Sequence, residues 1–188
     1  MHDVLEWMYA ERHRGREPAE RELLDRFATN WNEGRDDTVA IIRVDDSEES
    51  YLKKGREMLI RFFRETFARD RSETVALERR LTARLSDEVV FTGFADRVGR
   101  TEQGRLFVID YKTSKSEGNG SEFSEGLQAP LYAACVLSDY GEDEALAGYH
   151  YLHHGTTRWQ QVDGDRAAQL LDRFLDLANE AATAGEFP

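Results

Sequence analysis

Two aspartates and a lysine stand out by where they fall. Asp96 lies inside the run Thr92-Gly93-Phe94-Ala95-Asp96-Arg97, and Asp110 and Lys112 close the run Val108-Ile109-Asp110-Tyr111-Lys112-Thr113. An unpaired carboxylate in apolar surroundings is costly. Two of them on neighbouring strands repel each other unless a proton or a cation sits between them. A hard cation such as Mg²⁺ prefers carboxylate oxygens and keeps part of its water shell. Strand periodicity sends residues 110 and 112 to one face, which sets an ammonium beside the carboxylates. There it can hold an attacking water or neutralise charge developing on a phosphate.

The lysine is unusual for this chain, which holds 21 Arg and four Lys, two of them, Lys112 and Lys115, in or just after this strand. A compact ammonium suits a crowded cation site better than a wide guanidinium. The spacing alone also permits a plain surface ion pair between Asp110 and Lys112. Glu78, on the preceding predicted strand, reads as an exposed strand carboxylate, with a supporting role as the alternative. His153 and His154 read as polar edge-strand residues. Cys135, in the apolar run Leu131 to Leu137, reads as a small buried core residue.

The elements that must position these groups follow from periodicity. Val4, Leu5, Met8 and Tyr9 predict a helix from His2 to about Arg14; Gly15 and Pro18 interrupt it. A second helix is expected over Ala19–Asn32 and a third over Tyr51–Phe67, with a polar, acidic connection from Gly34 to Glu49 between them. The pattern then turns β-rich. Strands are expected at Thr74–Leu85, Val89–Val98 and Leu106–Tyr111, the last two joined by a tight turn at Glu102-Gln103-Gly104. These three form an antiparallel meander. Ser116–Gly126, rich in Gly and Ser, is expected to be a mobile loop. A helix over Leu127–Tyr140 must hold Pro130 in its first turn or be distorted by it. Strands at Ala145–His153 and Thr157–Val162 and a closing helix at Asp165–Ala184 complete the order. Helices followed by βββ and then αββα imply an α/β layer with helices packed on a small central sheet.

Composition bounds the rest. With 188 residues, 40% of them hydrophobic, the chain suits one compact domain and can bury a real core. No apolar run approaches the length that spans a bilayer and no signal peptide opens the chain, so a cytoplasmic protein without membrane partners is expected. One cysteine excludes an internal disulfide. The net charge of −12 argues against a general nucleic-acid binder, but the charge is uneven. Ala76–Ser116 carries eight Lys/Arg against six Asp/Glu, whereas Glu117–Gly148 carries seven acids and no base, and Asp36–Ser50 six acids and one Arg. The acid is concentrated outside the central segment.

The run from Gly93 to Lys112 resembles the PD-(D/E)XK nuclease superfamily, specifically its RecB-like branch. That branch carries a Gly-x-x-Asp strand, a hydrophobic strand ending Asp-x-Lys-Thr, and then a helix with Gln-x-x-x-Tyr, matched here by Gln128-Ala129-Pro130-Leu131-Tyr132. A spacing of four puts Gln128 and Tyr132 on one helix face. A metal-binding His opens the first helix of that branch, and His2-Asp3-Val4-Leu5-Glu6 matches it. The resemblance covers nearly the whole chain, loosely in the first two helices. It implies a restriction-endonuclease-like α/β core, a central mixed β-sheet flanked by helices, with an N-terminal helical part. Residues 1–188 then form a single domain, of which 1–70 are the helical part and 71–188 the sheet-containing core.

By residue, the resemblance implies that Asp96 and Asp110 coordinate Mg²⁺ or Mn²⁺, with His2 a further ligand and the backbone carbonyl of Tyr111 another. Lys112 serves catalysis, and Gln128 and Tyr132 contact DNA or brace the site. The implied activity is metal-dependent hydrolysis of single- or double-stranded DNA, as an exonuclease domain of a RecB-like or UvrD-like helicase-nuclease in repair and recombination, with a helicase domain or subunit as partner. A non-catalytic nuclease-like domain that binds DNA or braces a helicase is the alternative. Many RecB-like relatives carry a four-cysteine iron–sulfur cluster; this chain, with Cys135 alone, cannot form one. It resembles a domain cut from a longer protein, with a natural stand-alone form as the alternative. Pro130 within the Gln-x-x-x-Tyr motif departs from the family and puts the position of Gln128 in doubt.

Overall fold

A computed structural model describes residues 1–34, 47–114 and 126–184. Most of the expected Gly34–Glu49 connection and Ser116–Gly126 loop, Lys115 and the terminal residues 185–188 lie outside the described residues.

Three helices open the chain: α1 (His2–His13), α2 (Glu20–Glu33) and α3 (Glu48–Arg61). α1 buries Val4, Leu5, Met8 and Tyr9, one stripe at helical spacing. At the start of α3 the hydroxyls of Ser47 and Ser50 each accept from the other's backbone N–H, at 3.1 and 3.2 Å, which satisfies two amides that lack helical partners. α3 runs on through a π turn, Phe62–Thr66, and a 3₁₀ turn, Phe67–Arg69. Phe62 and Phe67 are buried there beside Tyr9.

The predicted meander follows as β1 (Glu73–Arg84), β2 (Val90–Arg100) and β3 (Leu106–Lys112). The β2–β3 turn closes with the Gly104 N–H donating to the Thr101 carbonyl at 2.8 Å and Gly104 at φ 82°, where glycine is favoured. α4 (Gln128–Tyr140) carries the chain across to β4 (Glu144–Tyr151), then β5 (Thr156–Asp163) and α5 (Gly164–Ala184). The sheet order is β1-β2-β3-β4-β5, with β3 and β4 parallel and the other neighbours antiparallel. α4 supplies the crossover that a parallel pair requires. Pro130 is the third residue of α4, where amides have no acceptor in the helix, so the helix starts undistorted.

Each face of the sheet has its own core. On one, Leu81, Phe91, Val98, Val108 and Ala147 pack with α4 and α5 residues such as Tyr132, Val136 and Leu170. On the other, Phe107, Ile109 and Tyr111 pack against Val4, Leu5, Leu23, Leu59 and Phe62 from α1–α3. β3 is covered on both sides, as its unbroken burial requires. The expected α/β architecture is therefore present: a five-stranded mixed sheet between helices, with an N-terminal helical part. One boundary differs. β4 ends at Tyr151, and His153 and His154 sit in the turn before Gly155, so they are not edge-strand residues. Among the described residues no helix is long and apolar enough to cross a membrane.

Candidate active site

The site lies where two strands part. β2 and β3 pair from Arg100↔Leu106 to Arg97↔Ile109 and no further. Asp96 and Asp110 are the next residue on each strand. Beyond this fork β2 stays with β1, while β3 continues beside β4 to Lys112↔Tyr151. The Tyr111 N–H donates to Asp96 Oδ2 at 2.6 Å, so a side chain takes over the ladder where the backbone rungs stop. The opened space is a cleft of about 650 Å³, lined by His2, Asp96, Asp110, Lys112 and Gln128 together with Asp3, Glu6, Glu78 and Phe94.

The sequence-predicted residues form one connected set. His2, at the start of α1, holds Nε2 at 2.7 Å from the Tyr111 carbonyl oxygen and 3.7 Å from Asp96 Oδ2. Asp110 is 5% exposed. Lys112 Nζ stands 2.7 Å from Asp110 Oδ2, but off the directions of a hydrogen bond, and that buried oxygen has no hydrogen-bond partner among the described residues. The same ammonium donates to Gln128 Oε1 at 2.6 Å, and Gln128 Nε2 donates to the Tyr132 hydroxyl at 3.0 Å. Gln128 thus reaches Lys112 and Tyr132 with Pro130 two residues further along α4. The Ala129 N–H, donating to the Tyr149 hydroxyl at 2.9 Å, pins this end of α4 to β4.

Gly93 has a clear role in this arrangement. A Cβ at residue 93 would stand 2.3 Å from Tyr132 Cε1, so the tyrosine packs against bare backbone. The Gly three residues before Asp96 lets α4 come close enough for Gln128 to reach Lys112.

Crowding of carboxylates shows in their proton affinity. Burial raises the Asp96 pKa above its usual value, and the nearby Asp110 charge adds to the rise; the Tyr111 N–H and the His2 and Lys112 charges oppose it. Glu78 is raised too, first by burial and then by Asp96 and Glu6. It sits at φ 45° and drops out of the β1–β2 register between Leu77↔Arg97 and Arg79↔Ala95, opposite Asp96. The expectation of an exposed strand carboxylate holds for its solvent exposure, yet it also lines the cleft. The donor set of an imidazole nitrogen, two carboxylates and a backbone carbonyl fits a divalent cation; Asp110 Oδ2 makes no hydrogen bond among the described residues, though it lies beside Lys112. No three His, Cys, Asp or Glu side chains among the described residues close as a cage on one point. His2 Nε2 lies instead against the Tyr111 carbonyl, and Asp110 Oδ2 against Lys112.

A second cavity of about 510 Å³ opens on the α1–α3 face, lined by Tyr9, Phe62, Asp70, Arg97, Phe107 and Trp159 among others. Its buried charges are committed to one another. Arg97 donates to Asp70 Oδ2 at 2.7 Å, Ser72 Oγ at 2.8 Å and Thr74 Oγ1 at 3.0 Å, and the Tyr9 hydroxyl also donates to Asp70 at 2.9 Å. Between the two cavities, the buried or half-buried carboxylates that are not committed to an arginine therefore line the first and not this one.

Sequence reasoning missed Asp3, Glu6 and Phe94 as cleft residues. A four-residue spacing from His2 to Glu6 was a usable signal for one helix face. Phe94 is two residues from Asp96, but β2 alternation breaks here, with Ala95 and Arg97 on opposite faces, so spacing was no guide to it. The positive φ of Glu78 had no signal in residue type. Cys135 is a buried core residue, as expected, and burial pushes its thiol pKa up to about 11.

The family model of the PD-(D/E)XK nuclease superfamily matches residues 1–188. No curated protein matches the chain in sequence. Among solved structures, the crystal structure of SSO0001 is similar at 15% identity, covering 75% of this chain and 70% of that one, with a TM-score of 0.42.

Proposed function

The chain belongs to the PD-(D/E)XK nuclease superfamily, and we propose that it is a catalytically active, divalent-metal-dependent deoxyribonuclease of the RecB-like branch. One observation carries the reading. Two carboxylates meet where β2 and β3 part, one oxygen of the buried Asp110 lacks a hydrogen bond among the described residues, and an ammonium stands 2.7 Å from it. Two partly buried carboxylates that share one ammonium leave negative charge without a partner, which is unfavourable in a purely structural role. The arrangement is productive if a cation and a phosphodiester complete it.

Asp96 and Asp110 would hold the ion, with His2 Nε2 and the Tyr111 carbonyl as further ligands. Mg²⁺ or Mn²⁺ bound there supplies Lewis-acid charge to the phosphate oxygens. Lys112, held by Gln128, orients the attacking water and offsets charge building on the phosphoryl oxygens. Water adds at phosphorus, one P–O ester bond breaks, and the leaving oxygen takes up a proton. Gln128 and Tyr132 fix the lysine and the start of α4, and Gln128, as a cleft residue, is placed to meet DNA. Residues 1–188 act as a single nuclease domain, residues 1–70 supplying His2 and 71–188 the remaining ligands. We assign it as an exonuclease domain of a helicase-nuclease acting on DNA in repair and recombination, in the cytoplasm. The alternative of a non-catalytic DNA-binding or helicase-bracing domain is disfavoured because both aspartates and the lysine are intact and face one cleft.

The test is digestion of end-labelled linear DNA with and without Mn²⁺. The expected result is metal-dependent cleavage that Asp110→Ala and Lys112→Ala both abolish. Digestion by both variants equal to that of the wild type would remove the proposal.

A further inference from the structure

Beyond the fork, β1 and β2 continue as a two-stranded ribbon that reaches past β3. Its pairing runs Arg79↔Ala95, Arg80↔Phe94, Leu81↔Gly93, Thr82↔Thr92, Ala83↔Phe91 and Arg84↔Val90. Antiparallel partners share a face. The face with Leu81, Phe91 and Ala95 is packed against α4 and α5, and the Phe91 and Phe174 rings meet there at 5.0 Å. The opposite face holds Arg80, Arg84, Thr82, Thr92, Phe94 and Val90, all exposed.

That face is unlike the rest of this acidic surface. Phe94 is 54% and Val90 52% exposed, two of five exposed large hydrophobics among the described residues, and both lie on this one strip. Arg80, directly across from Phe94, makes no hydrogen bond or ion pair among the described residues. Among those residues Arg84 pairs with Asp87 at the turn, at 3.6 Å, an exposed pairing that a phosphate can displace. In the stretch of chain from Glu78 to Asp96 the carboxylates fall at the ends of the strip, Glu78 and Asp96 at the cleft and Asp87 and Glu88 at the turn. Phe94 itself lines the cleft together with Asp96. The strip from Asp96 to Val90 is therefore continuous with the cleft and about 20 Å long.

We propose that this ribbon face, with Phe94 stacked on a base and Arg80 and Arg84 on the phosphates, is the track that holds single-stranded DNA entering the cleft. The inference rests on the nuclease reading and names the form of its substrate. Unpaired DNA is the fitting occupant because it offers both an anionic backbone for the arginines and free base faces for an aromatic ring. Duplex DNA offers no free base face to Phe94, and an apolar protein partner would leave Arg80 without a counter-charge among the described residues. The track also accounts for how an acidic chain grips nucleic acid: local arginines and one stacking ring suffice where the net charge is unfavourable.

The experiment measures binding of a fluorescein-labelled single-stranded 20-nucleotide DNA by anisotropy, in EDTA so that nothing is cleaved, beside the same sequence as duplex. Stacking of one base contributes about 1–3 kcal/mol, so Phe94→Ala is expected to weaken single-strand binding about five- to hundredfold and leave the salt dependence unchanged. Arg80→Ala with Arg84→Ala is expected to reduce the slope of log affinity against log salt by about 1.4, roughly 0.7 for each phosphate no longer neutralised. All three side chains are exposed, and circular-dichroism melts check that each variant folds. Wild-type affinity in both variants, no single-strand binding by the wild type, or preference for the duplex would each overturn the track. Digestion of linear DNA in Mn²⁺ is scored separately. If the wild type does not digest DNA but binds it through these residues, the nuclease reading fails and the track stands. If it digests DNA and the variants bind normally, the reverse holds.

Discussion

Asp96 and Arg97 are neighbours on β2 and belong to opposite kinds of charge cluster. Arg97 is 2% exposed, and its guanidinium meets Asp70, Ser72 and Thr74 while lying 3.7 Å from the Tyr9 ring centre. Asp70 is correspondingly held below the usual carboxylate range: burial pushes its pKa up, but Arg97 and Ser72 more than offset this. That cluster is closed. The cluster around Asp96 is open: its carboxyl is raised, its neighbour Asp110 has an oxygen without a hydrogen bond among the described residues, and an acidic cleft faces it. A buried charge that serves the fold is surrounded by partners within the chain. One that serves a ligand is left incomplete.

The contrast breaks most visibly if an open-cluster residue behaves as a structural one. Asp110→Asn is expected to lower cleavage of linear DNA by at least about a thousandfold, roughly 4 kcal/mol in transition-state terms. Its stability in urea should stay within about 1 kcal/mol of the wild type, because relief of repulsion toward Asp96 offsets the weaker attraction to Lys112. A large loss of stability would show the acid to be part of the scaffold. The converse substitution, Arg97→Met, leaves Asp70 buried without its partner and should cost about 3–5 kcal/mol in urea denaturation. An unchanged midpoint would remove the distinction between the clusters.

His150 tests the closed side by pH. It is fully buried between Phe62 and Tyr111, its Nδ1 2.7 Å from Thr157 Oγ1 and its Nε2 without a hydrogen-bond partner among the described residues. Burial lowers its pKa from 6.5 to about 4. Between those values the unfolded chain binds the proton and the folded chain does not, so stability falls as pH drops through that window and is unaffected above it. The expected loss is on the order of 3 kcal/mol. It should appear as a steeper acid side of the stability–pH curve than that of His150→Phe; superimposable curves would refute it.

Metal provides a gentler discrimination. Mn²⁺ at about a hundred times its Kd should stabilise the wild type by about 3 kcal/mol, read as a rise in Tm that Asp110→Asn abolishes and Asp70→Asn retains. The smallest effect expected is at Gly93. Gly93→Ala forces Tyr132 away and should cost about 1–3 kcal/mol, with a fall in cleavage as Gln128 loses its hold on Lys112. Full activity would mean that Tyr132 does not steer Gln128.

Much of this protein was legible in residue order. The helical stripes, the period-two runs and the Gly-Pro punctuation of α1 gave the element order, because local burial patterns follow directly from side-chain type. Asp96, Asp110 and Lys112 could be singled out because charges in apolar strands are conspicuous. Gln128 and Tyr132 were visible as a spacing, and His2 only through its resemblance to a family motif. What remained hidden depended on register and backbone angle. No residue type announces that pairing stops after Arg97↔Ile109, that Glu78 takes φ 45°, or that one face of the β1–β2 ribbon stays bare.

Residue types and their order fix which groups can carry charge into a buried place, since side-chain chemistry and period are properties of the chain alone. Which of those charges find partners follows from three-dimensional packing. Arg97 finds Asp70 27 residues away, and His2 meets the Tyr111 carbonyl across 109 residues. Such meetings arise from the packing of distant elements on the two faces of one sheet, and local sequence does not encode them.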